Sequence, residues 1–301
     1  MMKKTRMFSL AIATALAVLC HAGAAAEEAA LPQASPPAGM TIGAVLAGKM
    51  FSRAALAYNG GRFGDERVFG MSALLVHHPQ GDLLIDAGFG RNVDVHIETT
   101  PWLMRKVSRY EKETPVAQQL AAAGIDPGRL KGVVITHAHW DHVSGLEDLP
   151  GVPVWVNQAE LDFIRSGHET TELARRLDLK TYQVYAFGGP AYLGFPASHD
   201  VFGDGSVVLV PAPGHTPGST IVFVSLPGGQ RYALVGDLVW QIEGVDLPAE
   251  KPWISRRLVD FDQEATRALV QRMHELKRRL PALVVLPAHD RRLWEQLPRL
   301  R

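Results

Sequence analysis

The chain has 301 residues, 47% of them hydrophobic and 21% charged, and its 31 basic side chains balance 31 acidic ones. A neutral balance with no basic block excludes nucleic acid as a partner held by phosphate attraction. Length allows one large core or two small ones, and a single cysteine, Cys20, excludes a disulfide framework.

Lys3, Lys4 and Arg6 precede a mostly apolar run from Met7 to Cys20, and Ala24-Ala25-Ala26 offers small residues for cleavage. Residues 1–26 therefore read as a secretory signal peptide, cut after Ala26, with a periplasmic or secreted mature chain. The apolar run is short for a bilayer span, so no membrane span is expected after cleavage. Lipid attachment at Cys20 ranks lower, because Leu19 is large where small residues are usual. Cleavage removes three basic residues and the only thiol, leaving a net charge of −3. Stability in an oxidising compartment must then come from burial in the core. Residues 27–40, rich in Ala and Pro, read as a loose leader before a single folded domain at 41–301.

Strands are expected at 42–46, 72–77 and 82–85, the last ending in Asp86-Ala87-Gly88-Phe89-Gly90. Trp102, Leu103, Met104 and Val107 suggest a short amphipathic helix, and Thr114 is expected to cap a second one that Gly124 stops. The apolar run 133–135 is a buried strand that leads into Thr136-His137-Ala138-His139-Trp140-Asp141-His142. Residues 152–156 form the next strand, Asn157 caps a helix, and 170–179 form another whose Arg175-Arg176 pair reads as a solvated face. Residues 181–200 lack periodicity and are expected to be a long loop shaping a binding site. A strand at 206–210 ends in Pro211-Ala212-Pro213-Gly214-His215-Thr216-Pro217-Gly218-Ser219. A hairpin of 220–224 and 232–235 follows, ending in Gly236-Asp237. Asp262 caps the longest helix, whose Leu269, Met273, Leu276 and Leu280 share one face as core. A last strand at 283–286 runs into Pro287-Ala288-His289-Asp290.

Each polar cluster follows the carboxyl end of an expected strand, where sheets with helical outer layers place their sites. Three imidazoles and a carboxylate within residues 137–142 suit zinc or a similar divalent ion. His137 and His139 alternate by two and point the same way, while Asp141 and His142 face a second position. Taken singly, His215 is as well a loop histidine, Asp237 a turn carboxylate and His289 a surface residue. Their order and strand-end placement join them to the cluster. His77, His78, His96, His168, His199 and His274 have no partner spacing and read as structural or exposed.

His137-x-His139-x-Asp141-His142, Gly214-His215-Thr216-Pro217-Gly218, Gly236-Asp237, His289 and the upstream Leu84-Ile85-Asp86-Ala87-Gly88 together resemble the metallo-β-lactamase superfamily over about residues 41–301. The resemblance implies an α/β fold, a four-layer αβ/βα sandwich of two mixed β-sheets flanked by helices. It assigns His137, His139 and His215 to one metal and Asp141, His142 and His289 to another, with Asp237 bridging. Asp86 would orient the ligands without binding metal. Two divalent ions are implied, zinc first, with iron, manganese and cobalt sharing these ligands. The chemistry implied is hydrolysis by a metal-bridging hydroxide, with Asp141 orienting it and protonating the leaving atom.

The bridging Asp237 resembles that of lactonases, glyoxalase II thioesterases and phosphotriesterases, and the stretch from Pro115 through Phe163, with His137-x-His139-Trp140-Asp141-His142 and Asn157-Gln158-Ala159-Glu160-Leu161, is similar to N-acyl-homoserine-lactone lactonases. Those enzymes carry a tyrosine three residues past the bridging Asp, where this chain has Trp240. Phe89, Trp102, Trp140, Trp240 and Trp253 would line an apolar pocket mouth. A small ester or lactone is the expected substrate. Alternatives are a β-lactamase, a glyoxalase II-like thioesterase or an organophosphate hydrolase. Outside hydrolysis they are a mononuclear-iron sulfur dioxygenase or a non-catalytic metal-binding protein.

Overall fold

The structure, a computed structural model, describes residues 31–107, 109–177 and 182–300. The expected signal peptide lies outside the described residues. From residue 31 the expected leader is held against the fold: Ser35 N donates to Asp204 O at 2.7 Å, and Arg231 Nη1 to Pro32 O at 2.7 Å.

Twelve strands alternate with short helices among these residues: β1 (Thr41–Arg53), β2 (Glu66–His77), β3 (Leu83–Ile85), β4 (Arg109–Lys112), β5 (Gly132–Val134), β6 (Val154–Asn157), β7 (Tyr182–Tyr185), β8 (His199–Asp200), β9 (Val207–Pro211), β10 (Thr220–Ser225), β11 (Arg231–Leu234) and β12 (Leu283–Leu286). Seven form one sheet in the order β4-β1-β2-β3-β5-β6-β7, and five form another in the order β12-β11-β10-β9-β8. Both sheets are mixed: β3, β5, β6 and β7 run parallel in the first and β11 and β12 in the second, while the other pairings are antiparallel.

Strand periodicity of two decides what each face meets. Leu83 and Ile85 turn to one side of β3, and Val207 and Leu209 to one side of β9; all join one cluster between the sheets. Leu84 faces the other way, into a layer with Leu120, Leu161 and Ile164 of the outer helices. Val208 and Val210 likewise meet Val270, Met273 and Leu276 of the helix Gln263–Arg279. The result is helix, sheet, sheet, helix. Burial on both faces explains why these strands read as continuous apolar runs rather than alternating ones.

Several local expectations are corrected. Thr114 does not cap its helix; Val116–Ala122 starts after Pro115, whose fixed φ suits that position. Residues 182–200 are not one long loop shaping the site, for they contain β7 and β8, and none of them lines the central cavity. Four- and two-residue strands are too short to show a period. Arg175 is not simply solvated: its guanidinium donates to His168 O at 2.8 Å and to Thr171 Oγ1 at 2.6 Å, while Arg176 pairs with Glu172 at the surface.

Candidate metal centre

The strand ends converge. Asp86 follows β3, His137 to His142 follow β5, His215 follows β9, Asp237 follows β11 and His289 follows β12. All seven residues named as ligands in the sequence fall into three groups whose ligand atoms lie within 4.8 Å of one another: His137, His139 and His215; His137, His142 and Asp237; Asp141, His142 and His289.

His215 Nε2 lies 3.2 Å from His137 Nε2 and 2.9 Å from His139 Nδ1. Ligands about 2.0–2.1 Å from a tetrahedral cation stand about 3.4 Å apart, so this trio is nearly closed around such an ion. In the other group, His142 Nε2 is 3.2 Å and His289 Nε2 3.0 Å from Asp237 Oδ1, and His289 Nε2 is 3.4 Å from Asp141 Oδ2. Asp237 Oδ2 turns to the first trio, 3.6 Å from His215 Nε2. One carboxylate therefore offers an oxygen to each position.

Two observations test whether this donor set suits metal. His142 Nε2 and Asp237 Oδ1 are buried without a hydrogen-bond partner, which costs free energy unless a cation sits between them. The electrostatics ask for positive charge in the same place. Burial is the largest influence on His142 and His289 and opposes charging them. Asp86 and Asp237 outweigh it at His142, and Asp237 and Asp141 at His289, so both are held above the ordinary histidine range. Burial, reinforced by neighbouring imidazoles, pushes His137 and His139 well below it. Neutral imidazoles on one side and a cation-seeking pair on the other fit two divalent ions.

In three of the five histidines, the ring nitrogen turned away from the centre is held by an acceptor. His142 Nδ1 donates to Asp86 Oδ2 at 2.9 Å, His289 Nδ1 to Gly70 O at 2.8 Å and His215 Nδ1 to Asp260 Oδ1 at 2.7 Å. Such partners fix tautomer and ring direction. Asp86 itself accepts from Thr136 N at 2.7 Å and Thr136 Oγ1 at 2.9 Å, which ties the end of β3 to the ligand loop.

Three more residues serve the centre without any spacing that reveals them. Glu160, 1% exposed, accepts from Ala138 N at 2.6 Å, Thr216 Oγ1 at 2.7 Å and Gly218 N at 3.1 Å. It pins both histidine loops to one helix, Gln158–Arg165, whose Asn157 cap is as the sequence leads one to expect. Burial pushes its carboxyl up to about 7. Asp260 and Lys251 form a buried pair behind His215, Nζ to Oδ1 2.8 Å.

A cavity of about 250 Å³ opens onto the cluster between Met50, Phe69, Met71, Trp140, Trp240 and Ile254. Beyond His139, Asp141, His215, Asp237 and His289, none of its lining residues is charged. Trp140 and Trp240 line this cavity. Phe89 is not in the mouth: it is 1% exposed beneath Trp140, 5.3 Å between rings, in space left by Gly48, where a Cβ would come within 2.3 Å of it. Trp102 and Trp253 lie outside the lining, 61% and 62% exposed. Trp240 Nε1 donates to Asp237 Oδ2 at 2.8 Å, so its N–H serves the shared carboxylate rather than the cavity.

Comparison with known proteins follows the same lines. Residues 67–289 match the family model described as the metallo-beta-lactamase superfamily. The probable metallo-hydrolase Rv2300c of Mycobacterium tuberculosis is 31% identical over 240 residues, 74% of this chain and 75% of that protein. The N-acyl homoserine lactonase AttM of Azorhizobium caulinodans is 28% identical over 236 residues, covering 73% of this chain and 81% of its own. Among solved structures, an N-acyl homoserine lactone hydrolase with N-hexanoyl-L-homoserine bound at its catalytic metal center superposes with a TM-score of 0.67. That match covers 86% of this chain and 96% of the other at 17% identity, a likeness of fold.

Proposed function

The chain belongs to the metallo-β-lactamase superfamily, and on that footing we propose that it hydrolyses a small neutral ester or lactone bearing an apolar substituent, with two divalent ions, zinc foremost. The observation that carries this reading is the cavity: apolar side chains lead to the ligand cluster, and no Lys or Arg lines the way. Cephalosporins and glutathione thioesters carry carboxylates, which walls without Lys or Arg leave unpaired away from the ion positions. A lactone with an acyl chain has no such charge, and the name of the AttM relative supports that class. The presence of both ligand trios, with Asp237 offering one oxygen to each, argues against a mononuclear dioxygenase.

Bound divalent ions supply Lewis acidity and a water nucleophile active near neutral pH. His137, His139 and His215 would hold one, and Asp141, His142 and His289 the other, with Asp237 between them. Asp141 lines the cavity, and its carboxylate can take a proton from the nucleophile and return it to the leaving alkoxide. Trp140 and Trp240 wall the approach to the reacting bond. Residues 1–26 add to the proposal that this happens outside the cytoplasm; a mature protein that keeps Met1–Ala26 would contradict that part.

Initial rates on a lactone, a cephalosporin, a thioester and a phosphotriester test the assignment. The highest kcat/KM is expected on a lactone with an apolar acyl chain. Asp141→Asn and His139→Ala are each expected to lower turnover at least about hundredfold without unfolding the chain. Unchanged rates in either variant, or a preference for the anionic cephalosporin, would contradict it.

A further inference from the structure

Lys251 belongs neither to the ligand set nor to the cavity, yet it is 2% exposed. Its Nζ donates to Asp260 Oδ1 at 2.8 Å and to Leu238 O at 3.3 Å, and it stands 5.5 Å from the centre of the Trp240 ring. Each contact is one step from a metal ligand. Asp260 Oδ1 accepts from His215 Nδ1 at 2.7 Å, Leu238 follows Asp237 in the chain, and Trp240 Nε1 holds Asp237 Oδ2 at 2.8 Å.

Resting on the reading of the cluster as a metal centre, we propose that Lys251 is a positioning residue for that centre, locking the His215 loop and the Asp237 loop at one separation. The two loops come from different strand ends, β9 and β11, and nothing in strand pairing alone fixes the angle at which their side chains meet. Lys251 fixes it from behind. His215 and Lys251 converge on the same oxygen of Asp260, while Asp260 Oδ2 is buried without a partner. The carboxylate is thus oriented by its two donors, and removing one frees it to rotate. The ammonium over the indole restrains Trp240 and, through it, the shared carboxylate. A buried ion pair is weak support for stability, since replacing both partners by well-packed apolar side chains is often neutral. Its worth here is geometric: one cation sets the direction of an imidazole and of the bridging oxygen.

Cobalt(II) is the probe, because its visible absorption reports ligand geometry without any substrate. Wild-type protein is expected to take up Co2+ and develop bands of a low-symmetry site. Lys251→Met is expected to bind Co2+ at least about tenfold more weakly, with shifted bands. Leu276→Ala, which opens the core behind the five-stranded sheet, is the control for general loosening and is expected to keep wild-type Co2+ affinity. Wild-type affinity and spectrum in Lys251→Met, or an equal loss in Leu276→Ala, would overturn the positioning role alone. A wild-type protein that takes up no Co2+ would overturn the metal centre, and Lys251 with it. Should Lys251→Met not fold, Lys251→Gln, which leaves Asp260 on His215, replaces it, with the same loss expected and wild-type affinity overturning the role.

Discussion

Asp86 occupies a left-handed backbone position, φ 58°, at the turn that brings β3 to the ligand loop. Among residues with a β-carbon, Asp and Asn tolerate that conformation best. Asp86→Asn therefore keeps the turn but removes the charge that His142 Nδ1 meets, and metal affinity is expected to fall about 10- to 100-fold by equilibrium dialysis. An unchanged affinity would leave Asp86 as a turn residue only. Glu160 gives a pH signature. Its folded carboxyl is raised from 4.5 to about 7 by burial, so the folded state binds the proton more tightly than the unfolded chain. The associated stability is fully present below the unfolded value and is lost as pH rises through about 7. Compared with Glu160→Gln, the metal-free wild type is expected to lose about 3 kcal/mol of unfolding free energy between about pH 4.5 and about pH 7. Parallel curves for the two proteins would contradict the buried, proton-binding carboxyl. At this scale legibility depended on spacing. His137 to His142 are dense enough to announce themselves, whereas Glu160 sits in the stretch Asn157-Gln158-Ala159-Glu160-Leu161 without a role readable there, and Lys251 and Asp260 reach the site only through folding.

At the scale of elements, contact between the helix Gln158–Arg165 and the His215 loop sets the first ligand trio. Gly218 makes that contact possible, because a Cβ there would stand 2.2 Å from Glu160 N and 2.4 Å from its Cβ. Gly218→Ala is expected to cost about 1–3 kcal/mol in denaturant unfolding, as overpacking does, and to loosen the ion near His215. A variant as stable as wild type would show that the two elements separate without penalty. Elements with continuous apolar runs and clear stops, such as β9, β12 and the helix Gln263–Arg279, were legible from periodicity and caps. β7 and β8 were not, being too short for a period and stabilised by their neighbours across the sheets. The aromatic residues show the same limit. Phe89, Trp140 and Trp102 look alike in sequence, but Gly48 draws the first into the core and only Trp140 reaches the cavity.

For the whole molecule, the two sheets carry the site at one shared edge, and their order follows from apolar faces that must both be covered. No helix among the described residues is long and apolar enough to cross a membrane. Within this frame the cluster holds His142 Nε2 and Asp237 Oδ1 buried without partners, so metal binding there would be coupled to folding. The central claim is that seven side chains from four strand ends hold two ions. It is tested most directly by counting metal in purified protein by elemental mass spectrometry, beside thermal unfolding with and without chelator. Two equivalents per chain are expected, with loss of at least one in Asp237→Ala and a lower unfolding temperature after chelation. A fully active protein that holds no metal, with an unfolding temperature indifferent to chelator, would contradict it.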